Sequence, residues 1–190
     1  MALKLITAPV SEPIDLTTAK SHLRVDTIDD DSLITSLIIA AREYAQGFQN
    51  RAFVTQTYEL WLDAWPEYIQ IPRPPLQSIT SIKYYGTDNA EYTLAPADYF
   101  VDSVSEPGRA VLAYGKSWPS TTLRPANGIV VTFVAGYGAV ASVPQQVKQA
   151  MLLLIGHWNE NREAAISGAI SREIEFAVHA LLTMDRVVPV

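Results

Sequence analysis

The sequence predicts an α+β fold: a helical core of about four helices drawn from both ends of the chain, with a small, mostly antiparallel β-sheet inserted between the halves. Three observations predict it. Apolar residues recur at helical spacing near the start and again near the end. Between them the period changes to two, the mark of a strand with one buried face. Eight of the twelve prolines fall between Pro66 and Pro125, separating short extended segments and keeping helices out. The expectation is one domain over 1–190, with a helical core at 15–51 and 144–185 and a β sub-domain at 52–141.

Residues 1–14 contain Pro9 and Pro13 and read as an extended arm. With Leu3, Leu5 and Ile6 on it, the arm packs either on its own body or on a neighbour. Asp15 is placed to cap a first helix from Leu16 to about Arg24, with Leu16, Ala19 and Leu23 inward. Residues 26–31 hold four carboxylates. They lack the alternating oxygens, central Gly and distant Glu of an EF-hand. The simpler reading is that Asp29, Asp30 and Asp31 sit at a helix N-terminus, where caps and the macrodipole favour negative charge. The long helix that follows shows Leu33, Leu37, Ala41, Tyr44 and Phe48 as its apolar face, with Asp31, Thr35, Arg42, Glu43 and Gln46 elsewhere.

Val54, Tyr58, Leu60 and Leu62 alternate with polar residues and open the sheet. Further strands are expected at 68–71, 79–85, 99–102, 110–114 and 129–135, with Pro72, Pro74 and Pro75 forming a stiff corner. Gly136 and Gly138 turn the last strand toward a helix that Pro144 opens. On that helix Val147, Met151, Leu154, Ile155 and Trp158 make the face that answers the first long helix. Residues 164–170 interrupt the pattern and read as a mobile loop. A last helix over 171–184 carries Ile174, Ala177, Val178, Leu181 and Leu182.

Composition narrows the function. The net charge of -6 divides as -2 up to Arg51, -3 from Ala52 to Ala141 and -1 beyond, so no segment is basic. Stable DNA binding, which concentrates Lys and Arg on one face, is not expected. The absence of cysteine removes disulfides, thiolate zinc sites and cysteine nucleophiles. No apolar run approaches the length of a membrane span, so a soluble, unprocessed protein is expected. His22, His157 and His179 form no metal-ligand pair, and no nucleophile elbow, P-loop or dinucleotide fingerprint occurs. The pairs Glu160 with Glu163 and Asp98 with Asp102 are available for acid-base work but come without partners, and solvated surface carboxylates are the simpler account. The four tryptophans are scattered over strand, turn and helix, which favours core and interface packing over a sugar platform. Asn159, Asn161 and Arg162 either satisfy carbonyls at a helix end or pair with a carboxylate of a neighbouring copy.

Taken in order, residues 15–26, 29–44, Arg51 with 54–56, 71–79, 131–138 and 143–163 resemble the head-tail connector, or head-completion adaptor, proteins of long-tailed bacteriophages and prophages. The resemblance spans nearly the whole chain, with one late departure: the family often has a proline just before the last helix, where this chain has residues 171–175 without one. It implies a structural virion protein and not an enzyme, with no cofactor and no metal. Its members assemble as a ring, twelve-fold in the virion, below the portal protein. The ring extends the DNA channel without binding DNA specifically and presents a surface to the next head-completion or tail protein. The place implied is the head-tail junction, with the host cytoplasm before assembly and no membrane partner. The residues expected at a subunit or portal interface are Arg51, Tyr137, Trp158, Asn161, Arg162, Ile174 and Leu181. The rival readings are a DNA-packaging or DNA-binding factor and a carboxylate-dependent hydrolase.

Overall fold

The computed structural model describes residues 1–161 and 170–188, with side chains throughout except at 170–175. Its elements run β1 (Ala2–Thr7), α1 (Leu16–Leu23), α2 (Asp31–Gln49), β2 (Gln56–Leu62), β3 (Ile69–Ile71), β4 (Leu76–Tyr85), β5 (Glu91–Thr93), β6 (Tyr99–Asp102), β7 (Gly108–Leu112), β8 (Ile129–Ala135), α3 (Gln145–Glu160) and α4 (Ile170–Thr183). This is the expected α+β class. The chain forms two compact units, one of residues 1–9 and 55–138, the other of residues 10–54 and 139–190.

The first unit holds two antiparallel sheets. The larger has the order β1-β2-β8-β4-β5 and the smaller β3-β7-β6. β8 lies at the centre of the larger sheet, and Ile129, Val131, Phe133 and Ala135 on it are fully buried. Leu60, Ile82, Ile69, Ile71 and Ala110 join this core. Gly108 on β7 is there because the space for a side chain is taken: a Cβ at that position would come within 2.7 Å of the Leu76 side chain on β4. Two strands were not expected. Residues 1–14 include β1, which pairs along β2 from Ala2↔Trp61 to Thr7↔Thr57, so the arm lies on its own body. β5 is a short edge strand beside β4.

The second unit is helical. Asp15 caps α1 as expected, its carboxylate accepting from the Thr18 N–H at 2.6 Å, and this hydrogen bond, made by the charged form, holds the Asp15 carboxyl below its usual range. Arg24 ends α1 in the left-handed region. At the start of α2 the acidic run sits at the helix N-terminus as expected, but the cap bond is missing. Asp30 occupies the cap position without a side-chain cap hydrogen bond, and Asp31 instead meets Lys20 Nζ at 2.5 Å. The buried face of α2 also differs: it is Ile34, Ile38, Ala41, Arg42, Ala45, Gln46 and Gln49. Of the residues expected on that face only Ala41 is fully buried; Leu33, Leu37 and Phe48 are half-buried and Tyr44 is exposed. The stripe is turned by about one residue because Arg42 finds a carboxylate inside the unit, Glu12, and needs no solvent. α3 buries Val147, Ala150, Met151, Leu154 and Ile155, close to expectation, and α4 buries Val178 and Leu182. The loop expected at 164–170 lies, up to residue 169, outside the described residues. Among the described residues, no helix is long and apolar enough to cross a membrane.

Candidate interaction surfaces

The end of α2 grips the C-terminal segment. Asn50 closes the helix in the left-handed conformation that its short polar side chain tolerates, which turns Gln49, Asn50 and Arg51 toward residues 182–187. Gln49 Nε2 donates to the Leu182 carbonyl at 2.8 Å, and the Gln49 carbonyl accepts from the Val187 N–H at 2.9 Å. Asn50 Nδ2 donates to the Val187 carbonyl at 2.9 Å, and Arg51 Nε to the Asp185 carbonyl at 2.5 Å. Gln146 on α3 donates to the Asp185 carboxylate, and the Arg186 guanidinium stands 4.9 Å from the Phe48 ring. A segment with few buried apolar side chains is thus held by polar contacts at its backbone. Arg51, expected at an interface, is buried and belongs to this clasp.

The other expected interface residues divide. Trp158 is half-buried and meets Tyr44 edge-on at 6.2 Å. Tyr44 Oη lies 3.3 Å from His179 Nε2, and His179 stacks on Phe48 at 4.9 Å. Leu181 is half-buried on α4, while Asn161 is exposed and donates to the His157 carbonyl at 2.9 Å, satisfying the end of α3 from within the chain. Tyr137 belongs to the other unit, half-buried between Gly136 and Gly138, both of which take positive φ. Ile174 lies on α4, but its side chain is outside the described residues, as is Arg162 altogether.

In the β unit the tryptophans are less scattered than their sequence positions imply. Trp65 and Trp118 stack at 4.6 Å with 9° between their planes; Tyr84 meets Trp65 edge-on, and Tyr92 stacks on Tyr84. Trp118 Nε1 donates to the Pro66 carbonyl at 2.7 Å. This run ties the segment after β2 and the segment after β7 to β4 and β5; separations of up to 53 positions hid it from periodicity. On the adjoining edge, Glu91 accepts from Lys83 Nζ and Tyr85 Oη, each at 2.7 Å. Those bonds lower the Glu91 carboxyl and raise both the Lys83 ammonium and the Tyr85 hydroxyl.

Asp98, just before β6, and Asp102, at its end, were available on sequence for acid-base work, with solvated surface carboxylates the simpler account, and each has a cation of its own. Asp98 meets Lys116 at 2.8 Å and Asp102 meets Arg109 at 3.0 Å. Asp102 also accepts from the Ser105 hydroxyl at 2.7 Å and from the N–H groups of Ser105 and Val104. The Ser105 hydroxyl and N–H, then Arg109 and Val104, hold its carboxyl well below the usual range. Such a carboxylate is a turn-former and a poor proton acceptor. Among the described residues, no group of three or more His, Cys, Asp or Glu side chains is placed to hold a metal ion.

Residues 13–94, which run from before α1 through β5, match the family model described as phage gp6-like head-tail connector protein. The resemblance read from the sequence is borne out over that stretch. Comparison with curated proteins gives no match. Among solved structures, the chain is similar to one from the neck of an empty GTA particle computed with C6 symmetry, at TM-score 0.82 and 24% identity. It is similar to a chain of the virion of a native gene transfer agent (GTA) particle at 0.80 and 23%, and to one from the neck of a native GTA particle computed with C12 symmetry at 0.78 and 22%. In each case 100% of this chain and 97% of the other are covered, so the whole fold is shared.

Proposed function

We propose that a chain so matched to the phage gp6-like head-tail connector proteins is itself a structural protein of a phage-type virion, the adaptor that stands below the portal. The observation that carries this reading is the coverage: a family match over 13–94 sits inside a fold shared end to end with neck and virion chains. Necks with C6 and C12 symmetry support assembly as a ring, taken here as twelve-fold. The ring extends the DNA channel and presents a docking surface to the next head-completion or tail protein. It is not an enzyme, which fits the separate engagement of Asp98 and Asp102. DNA passes through without being held, in keeping with a net charge of -6, and the protein awaits assembly in the host cytoplasm. Asn161 and Leu181, together with Tyr137, Trp158, Arg162 and Ile174, remain candidates for contact with a neighbour or the portal. Arg51 acts there through the segment it holds.

The test is the solution mass of the purified protein over a concentration series, with and without portal, followed by electron microscopy of the largest species. Closed rings with a central hole wide enough for duplex DNA are expected. A chain that stays monomeric at every concentration and ignores portal overturns the reading.

A further inference from the structure

The clasp at the end of α2 holds its segment by bonds that any copy of the chain can make. The Leu182, Asp185 and Val187 carbonyls accept from Gln49, Arg51 and Asn50, and the Val187 N–H donates to the Gln49 carbonyl. These bonds end on main-chain atoms of the segment. Of its side chains, Asp185 accepts from Gln146 and Arg186 lies by the Phe48 ring. None of residues 183–188 is fully buried, and Met184 and Val188 are 73% and 68% exposed. The seat thus fits the segment's backbone without locking it into a core.

α4, which leads into the segment, is apolar on two sides. Val178 and Leu182 are buried, while Phe176, Ala180 and Met184, spaced by four, form a second row that is exposed, Phe176 to 78%. A helix with apolar residues on both sides is suited to lie between two bodies. α3 ends at Glu160 and α4 begins at Ile170. The intervening chain, at most about 3.5 Å per residue, reaches about 30 Å, farther than the roughly 24 Å length of α3. α4 can therefore be carried to an adjacent copy.

We infer that α4 and residues 183–188 of one copy seat on α2 of the next, so that the clasp joins copies. A ring needs two unlike surfaces that fit one another, and here the fit is shown bond by bond within the chain. Each copy offers the segment and receives another, a heterologous exchange of an identical element that keeps every bond and closes by rotation. The inference rests on the ring reading and names the contact by which copies are joined. Because the bonds are the same in both arrangements, local concentration chooses between them. The segment seats on its own copy in dilute solution and on a neighbour where copies are held side by side, as below a portal.

Tyr44 on α2 and His179 on α4, 3.3 Å apart at Oη and Nε2, are both exposed and take no part in the clasp, so cysteines there report where α4 sits. The chain has no cysteine of its own. The double variant Tyr44→Cys with His179→Cys is treated with a short bismaleimide below and above the concentration at which rings form, alone or on portal, and the products are sized after denaturation. Internally bridged monomer is expected in the dilute sample, which also shows that the variant is folded. In rings the share of interchain products is expected to rise at least about fivefold, as a ladder of multimers, while each single variant stays monomeric. Rings that yield only bridged monomer, or a ladder from either single variant, overturn the exchange and leave the ring standing. A pair bridged at neither concentration overturns the seat of α4 on α2 that the exchange uses. Rings absent from the parent chain, with and without portal, overturn the ring reading itself and the exchange with it.

Discussion

Replacing Glu12 by Ala measures how far the helical unit depends on one carboxylate brought in for a buried cation. The Arg42 side chain is 6% exposed and its Nε lies 2.7 Å from Glu12 Oε2, while the Glu12 side chain is 23% exposed. Of the other donors, NH1 reaches Gln46 Oε1 at 3.0 Å and NH2 reaches Glu43, whose side chain is 65% exposed, at 3.4 Å. Removing one partner of a fully buried pair costs about 3–5 kcal/mol, because the other is left uncompensated. Glu12 is partly hydrated and Glu43 gives weak screening, so the cost of Glu12→Ala is placed at about 2–3 kcal/mol. Arg42→Met removes the buried charge itself, keeps most of the stem's packing and lets Glu12 rehydrate, for about 1 kcal/mol. The double variant then costs no more than Arg42→Met alone, a strong departure from additivity. Urea denaturation followed by far-ultraviolet circular dichroism, which weights the helical unit, reads all four proteins. Glu12→Ala within about 0.5 kcal/mol of the parent, or Arg42→Met costing more than Glu12→Ala, refutes the argument.

Three further outcomes follow from the same structure. Gly108→Ala brings a methyl group to 2.7 Å from Leu76 and is expected to cost about 1–3 kcal/mol in thermal unfolding; a neutral result means that Leu76 swings aside without loss. The depressed Asp102 carboxyl contributes stability that is present above the unfolded value of about 3.9 and is lost as pH falls from there toward its lower folded value. Asp102→Asn should therefore flatten the acid limb of the stability profile, and an unchanged limb would place the acid sensitivity elsewhere. Deleting residues 171–190 removes the segment that Gln49, Asn50 and Arg51 hold. It is expected to abolish binding to portal while the β unit keeps its circular dichroism signature, and assembly of the truncated chain on portals would exclude a role for that segment.

What was legible in the sequence was what burial writes into it. β2 and β8 alternate because each has a face in the core, and Asp15 signals a cap because its carboxylate acts within three residues. β1 and β5 were illegible for the converse reason: they are exposed edge strands, defined by ladder partners 50 or more and about 8 positions away in sequence, with no apolar face to repeat. The face of α2 slipped because Leu33 and Ile34, and again Leu37 and Ile38, offer two adjacent apolar stripes. The choice between them depends on Glu12, thirty residues from Arg42. The outer row of the small sheet was equally hidden, since only the pairing of β6 with β7 puts Phe100 beside Val111.

An acidic chain that stands beside copies of itself meets its own repulsion, which at physiological ionic strength reaches about 8 Å before screening takes over. Contact between copies is then favoured where carboxylates are already neutralised within each chain. The β6 edge is such a place, because Lys116 and Arg109 answer Asp98 and Asp102 there. The turn before α2 is not, since Asp26 and Asp29 stand exposed. In a ring of these subunits the paired strips can meet without bringing like charges together, and the unpaired ones are better suited to surfaces that copies do not share. A lumen facing DNA is one such surface, because repulsion there keeps phosphates moving instead of bound. The same net charge that argues against a DNA-binding protein is thus compatible with one that DNA passes through, provided that the contacts between copies lie where the charge has been cancelled.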